Sequence, residues 1–161
     1  MFLGRLLILS TLSMTVASAA VMNWNATLNG AQETPPNASP ATGSGTGTYD
    51  TVSMIFSWDV SFSGLTAPET DAHFHIAPPG VAGPITIPLP LGSPIMGSQA
   101  LSAVQEAAFL AGDFYVNIHS SNFPAGEIRG QVLPQAVPEP STWALAFTGI
   151  AALIGRRLLK S

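Results

Sequence analysis

Val52-Ser-Met-Ile-Phe-Ser-Trp-Asp-Val-Ser-Phe62 alternates in character along its length: Met54, Phe56, Trp58, Val60 and Phe62 fall on one face, Ser53, Ser57, Asp59 and Ser61 on the other. A two-residue period of this kind reads as a half-buried antiparallel strand. The same period recurs further along the chain. Around Asp71 to Ile76, the residues Ala72, Phe74 and Ile76 share a face, which puts Asp71, His73 and His75 on the opposite one. From Asp113 to His119, Phe114, Val116 and Ile118 point one way and Tyr115, Asn117 and His119 the other. In Glu127 to Val132, Ile128 and Val132 face in, so Glu127, Arg129 and Gln131 face out. Turn signals at Pro35-Pro36, Gly43 to Gly47, Gly64, Pro78-Pro79-Gly80, Gly83-Pro84, Gly92-Ser93-Pro94 and Pro124-Ala125-Gly126 separate many short strands. Ser102 and Gln105 form a capping box ahead of Val104, Ala107, Ala108 and Leu110, with Gly112 as a stop, so one short helix is expected there. The fold class predicted for residues 24–134 is all-β: an antiparallel Greek-key β-sandwich or flattened barrel with one helical connection.

The two ends of the chain read as addresses and not as fold. Residues 1–20 hold one early cation, Arg5, an apolar run from Leu6 to Val16 and small residues ending in Ala19-Ala20, which is a secretory signal peptide cut after Ala19 or Ala20 by signal peptidase. At the other end a linker over residues 135–137 leads to Pro138-Glu-Pro140, an apolar run from Trp143 to Ile154, and the basic residues Arg156, Arg157 and Lys160. A rigid break, a membrane-inserting helix and a positive stop would leave the basic end in the cytoplasm and the body outside. The apolar run is short: twelve or so helical residues rise only about 18 Å, against a hydrocarbon core of roughly 30 Å.

With both ends set aside, the charge pattern excludes whole classes of partner. Of the chain's five cations only Arg129 lies in the body, which has no lysine, while the nine acids run from Glu33 to Glu139. Nucleic acid and anionic lipid surfaces both require several cations, so neither is a partner of the body. The chain has no cysteine, which removes disulfides, thiolate metal sites and cysteine nucleophiles together. There is no phosphate-binding glycine loop followed by lysine and no Gly-x-Ser-x-Gly elbow, so no enzymatic constellation is apparent. The Gly43 to Gly47 run, lacking a basic neighbour, reads as a flexible edge or hairpin.

One chemical grouping stands out. All three histidines, His73, His75 and His119, fall on the faces opposite the strands' apolar residues. Histidines at i and i+2 on a strand lie about 7 Å apart and can converge on one ion, with a third from a neighbouring strand completing a site suited to zinc or copper. Asp71, Asn117, Glu127 and Tyr115 share those faces and could orient the ligands. Arg129 is expected to pair with a carboxylate beside Glu127, at Asp71 or at Asp59, or to anchor an anion. The alternatives are a polar network that holds the Pro-rich connections, and a surface for a small ligand or glycan.

Several stretches also carry a family resemblance. Leu28-Asn-Gly-Ala-Gln-Glu-Thr-Pro-Pro36, Gly43-Ser-Gly-Thr-Gly47, Ala72-His-Phe-His-Ile76, Phe114-Tyr-Val-Asn-Ile-His119 and Gly126-Glu-Ile-Arg-Gly-Gln131 together resemble the chordin-type, or CHRD, domain. The resemblance implies an immunoglobulin-like or superoxide-dismutase-like β-barrel of extracellular proteins, with no general activity attached. A dinuclear copper–zinc centre of the dismutase kind would use more imidazoles than the three present. The tail from Val137, with Pro138, Glu139 and Pro140 and the Arg156-Arg157 end, resembles the PEP-CTERM sorting signal. That implies an exosortase-like membrane protease, transient membrane anchoring, and delivery to the cell surface or matrix, where exopolysaccharide would be a partner. The sequence therefore predicts an exported, non-enzymatic surface protein, with a mononuclear zinc or copper protein as the alternative.

Overall fold

The computed structural model describes residues 21–135. The expected signal peptide, with Ala19 and Ala20, and the expected tail, with Pro138 to Pro140, its apolar helix and Arg156-Arg157, lie outside the described residues. Among the described residues no helix is long and apolar enough to cross a membrane.

The described residues form nine strands and one α-helix. In chain order these are β1 (Val21–Asn29), β2 (Thr42–Asp50), β3 (Ile55–Ser63), β4 (Glu69–Ile76), β5 (Ile85–Pro88), β6 (Ile95–Ala100), α1 (Ala103–Leu110), β7 (Phe114–Ser120), β8 (Ile128–Gln131) and β9 (Leu133–Gln135). The strands make one antiparallel sheet in the order β5-β4-β7-β8-β1-β2-β3-β6, with β9 also paired to β1. The sheet curls until its two halves face each other. Phe56 of β3 lies 5.3 Å from Phe74 of β4 and 5.8 Å from Phe114 of β7, ring centre to ring centre, and Trp24 of β1 stacks on Phe56 at 5.2 Å. This aromatic cluster, with Leu28, Val60, Val116, Ile118 and Ile128, is the core, and α1 closes it through Phe109.

The alternation of residues 52–62 selects the buried face as expected: Phe56, Trp58 and Val60 are buried. The strand begins later, at Ile55, because Thr51 to Met54 form a turn in which Met54 takes φ +59°. The capping box of α1 is present in both directions, with Gln105 N–H donating to Ser102 Oγ and Ser102 N–H to Gln105 Oε1.

Two expectations need correction. The glycine run is no edge or hairpin: it lies inside β2, flanked by β1 and β3. Gly45 and Gly47 lie under the Trp24 indole, whose Nε1–H reaches across the strand to the Ser57 carbonyl at 3.0 Å. Nor do the polar faces of β7 and β8, or His73 and His75 of β4, point to solvent, although Asp71 near the start of β4 stays exposed. All seven residues of β7 and all four of β8 are buried. The reason is topological: three loops, after β1, after β4 and after β7, fold back over the outer face and hydrogen-bond to it. The half-sheet that carries the histidines is thus buried on one side by aromatics and on the other by loops.

Candidate functional site

β4 and β7 are adjacent and antiparallel, with Asp71 opposite His119, His73 opposite Asn117 and His75 opposite Tyr115. This register brings the three histidines together. One ring nitrogen from each lies within 4.8 Å of the others, and the residues are only 7, 7 and 9% exposed.

Hydrogen bonds decide which nitrogens those are. His75 Nδ1 lies 3.0 Å from the Gly83 carbonyl and His119 Nδ1 lies 3.0 Å from the Pro124 carbonyl. A carbonyl only accepts, so both Nδ1 atoms carry the proton and both Nε2 atoms keep a lone pair. His73 Nε2 lies 2.9 Å from Asp71 Oδ1, and an ionised carboxylate likewise only accepts, which leaves the lone pair on His73 Nδ1. Each ring is thereby turned so that its free nitrogen faces the same small volume.

That arrangement lacks a partner of its own. His75 Nε2 is buried with no hydrogen bond, and His73 Nδ1 faces His119 Nε2 at 3.4 Å. In these tautomers two lone pairs oppose one another, and only a proton or a cation between them makes the contact attractive. Burial, the largest effect, holds both His73 and His75 below the ordinary imidazole pKa. Asp71 partly offsets this at His73 and the Gly83 carbonyl at His75, while the other imidazoles add to it. A proton is therefore disfavoured, and the 3.4 Å between these two nitrogens is a spacing that a metal ion could bridge, while the spread of up to 4.8 Å across all three would have to close on binding. Two metal–nitrogen bonds of about 2.0–2.1 Å at the tetrahedral angle place their nitrogens about 3.4 Å apart.

The surrounding layer is built from the other expected residues, with different partners. Asp71 orients His73 through the bond to its Nε2. Asn117 is buried between the histidines and Arg129, and its Nδ2–H donates to Glu33 Oε2 at 3.4 Å. Glu127 is fully buried but turned toward Ser39 Oγ at 2.7 Å and Thr66 N–H at 2.8 Å. Burial acts to raise its carboxyl pKa, but the hydrogen bonds from Ser120, Ser39 and Thr66 outweigh that and hold it below the usual range. Arg129 forms no ion pair among the described residues: Asp59 lies on β3 in the other half-sheet, and Asp71 is committed to His73. Its guanidinium donates instead to Val81 O, Pro78 O, Thr34 Oγ1 and Gln131 Oε1, and lies 3.5 Å over the Tyr115 ring. Tyr115 in turn stacks on His75, ring centres 4.8 Å apart and 8° from parallel.

Sequence reasoning missed Glu33, Gly83 and Pro124. Glu33 is buried beside Arg129, and burial pushes its carboxyl up to about 7 despite the opposing pull of Arg129 and Asn117. It sits inside the Leu28 to Pro36 stretch, where an acid between turn residues could have drawn notice. Gly83 and Pro124 act through backbone carbonyls, for which no side-chain signal exists.

Against known families, residues 24–132 match the CHRD domain, and residues 136–158 match the PEP-CTERM protein-sorting motif. The chain belongs to the CHRD domain family. Comparison with curated proteins and with solved structures gives no match. The CHRD domain spans the sheet almost end to end and contains all three histidines. The PEP-CTERM motif marks the protein as exported and sorted by exosortase-type machinery.

Proposed function

We propose that this CHRD protein is an exported surface protein that holds one zinc or copper ion on His73 Nδ1, His75 Nε2 and His119 Nε2. The observation that carries the reading is the hydrogen bonding behind the rings. Asp71, Gly83 and Pro124 each occupy the opposite nitrogen, so three lone pairs converge in a buried space. An outer oxygen acceptor on each ligating imidazole is the usual construction of histidine metal sites, where it fixes the tautomer and raises ligand basicity. Neutral imidazole suits zinc and copper, and three protein ligands leave a coordination position for water or another small ligand. In this reading signal peptidase acts at Ala19 or Ala20, an exosortase-like protease acts near Pro138-Glu139-Pro140, and the domain ends at the cell surface or in the matrix.

The test is elemental mass spectrometry on protein exported from the full chain, beside the His73→Ala/His75→Ala variant. Near-stoichiometric zinc or copper, lost in the variant, is expected. Folded protein that carries neither metal and takes up neither on titration would sink the metal reading. It would leave the second reading, a non-enzymatic structural or binding domain. The bonds that Arg129 and Gln131 donate and that Glu127 accepts, which pin the covering loops to the sheet, favour that one.

A further inference from the structure

Arg129 is the one cation among the described residues, is 2% exposed, and makes no hydrogen bond to any of the histidines. Two separate lines of contact nevertheless lead from it to His75. Along the first, its Nη1 and Nη2 groups donate to Val81 O at 2.8 Å and Pro78 O at 3.2 Å. These carbonyls belong to the Pro-Pro-Gly loop after β4, and Gly83 of the same loop accepts the His75 Nδ1–H. Along the second, the guanidinium packs flat on Tyr115, and Tyr115 packs flat on His75. Gly83 joins the two lines, because its N–H donates to Tyr115 Oη at 3.0 Å. His75 is thus held at its edge by a carbonyl and on its face by a ring, and both supports rest on one guanidinium.

The structure assigns Arg129, on the metal-site reading above, as the positioning residue of the metal site: it sets the orientation of His75 through the Pro78–Gly83 loop and Tyr115. A lysine would keep the charge. It cannot replace a planar fork that bonds four oxygens in different directions and stacks on a phenol ring, because its donors radiate from a single point. The loop has few other ties: between Pro78 and Pro84 the backbone supplies the Val81 N–H to Pro78 O turn bond and, where the loop rejoins the sheet, a bond from Ile76 N–H to Pro84 O, and its prolines have no N–H to donate.

The experiment loads the full chain, in mild detergent, with copper(II) and measures affinity by competition with a chromophoric chelator. The copper hyperfine pattern is recorded by electron paramagnetic resonance. Wild type, Arg129→Lys, Tyr115→Phe and the core variant Val60→Ala are compared. Removing an outer support of a ligating histidine lowers metal affinity by about ten- to a hundredfold. That loss, with an altered hyperfine pattern, is expected for Arg129→Lys and in the same direction for Tyr115→Phe. Val60→Ala lowers the melting temperature and leaves both metal readouts as in wild type. If Arg129→Lys fails to fold, Tyr115→Phe decides, since it removes only the acceptor of the Gly83 N–H. Wild-type affinity and hyperfine pattern in both site variants would overturn the assignment while leaving the metal site intact. A wild-type protein that binds neither copper nor zinc would instead overturn the metal reading itself, and this inference with it.

Discussion

Glu33 is the residue whose titration bears most directly on the stability of the domain. The residue is 6% exposed, one carboxyl oxygen has no hydrogen-bond partner, and burial moves its pKa from an ordinary 4.5 to about 7. A carboxyl raised on folding binds its proton more tightly in the folded state. The fold therefore keeps full stability from this group below about pH 4.5 and loses it as pH rises through 7. The loss is on the order of 2–3 kcal/mol. His73 and His75 act in the opposite sense: burial depresses both, so the metal-free fold loses stability as pH falls below the ordinary imidazole value of 6.5. Between about pH 4.5 and 6.5 the two effects oppose each other in the wild-type protein. Glu33→Gln should abolish the alkaline decline while keeping the acid one, giving a variant more resistant to urea than wild type at pH 8 but not at pH 5. Urea midpoints of the metal-free proteins from pH 5 to 8 measure this. Parallel pH profiles for the two proteins would show that Glu33 does not titrate in this range.

At the scale of elements, β2 shows how a fold can depend on missing side chains. A β-carbon on Gly47 would lie 2.6 Å from Trp24 Nε1 and would also meet the Ser57 carbonyl that the indole bonds. Gly47→Ala should therefore cost about 2 kcal/mol or more, the range for overpacking a close contact. Denaturation with urea, and the near-ultraviolet circular dichroism of Trp24, would register the change; an unaltered midpoint would mean that β2 can shift away from β3. Ser102→Ala should cost about 1 kcal/mol through loss of one half of the capping box of α1, read from the same urea midpoints. The contrast between these two elements explains what was legible in the sequence. The cap of α1 is a local device, written in residues three apart, and it could be read directly. Alternation likewise named the core faces of β3, β4 and β7, because a two-residue period has one physical cause. It could not tell a face covered by loops from a face in water, since His73, Asn117 and Arg129 are polar in either case. The Gly43 to Gly47 run hides its place inside the sheet for a related reason: the indole that needs those glycines lies on another strand. The three histidines lie close together. Their convergence, though, depends on β4 and β7 being neighbours, and the long stretch between His75 on β4 and His119 on β7, which includes β5, β6 and α1, gives no periodic sign of that pairing.

For the whole molecule, the distribution of charge separates the domain from its means of delivery. The chain has nine acids, and leaving out Glu139 of the sorting motif gives eight in the domain, against the single cation Arg129. Arg129 is buried, so the domain presents an acidic surface. Such a surface is repelled by anionic lipid, whose attraction requires clustered lysine and arginine. The clustered cations lie instead in the tail: Arg156 and Arg157 fall within the PEP-CTERM match over residues 136–158, and Lys160 follows it. Deleting residues 136–161 should release the domain into the periplasm or medium with its fold and metal content unchanged. The full chain, in a host without exosortase, should stay with the membrane fraction; in a host that has it, the full chain should be processed and reach the surface. Cell fractionation with an antibody against the domain distinguishes these fates. A truncated domain that still sediments with membranes would mean that the acidic sheet surface has its own binding partner there, and that the tail is not what determines location.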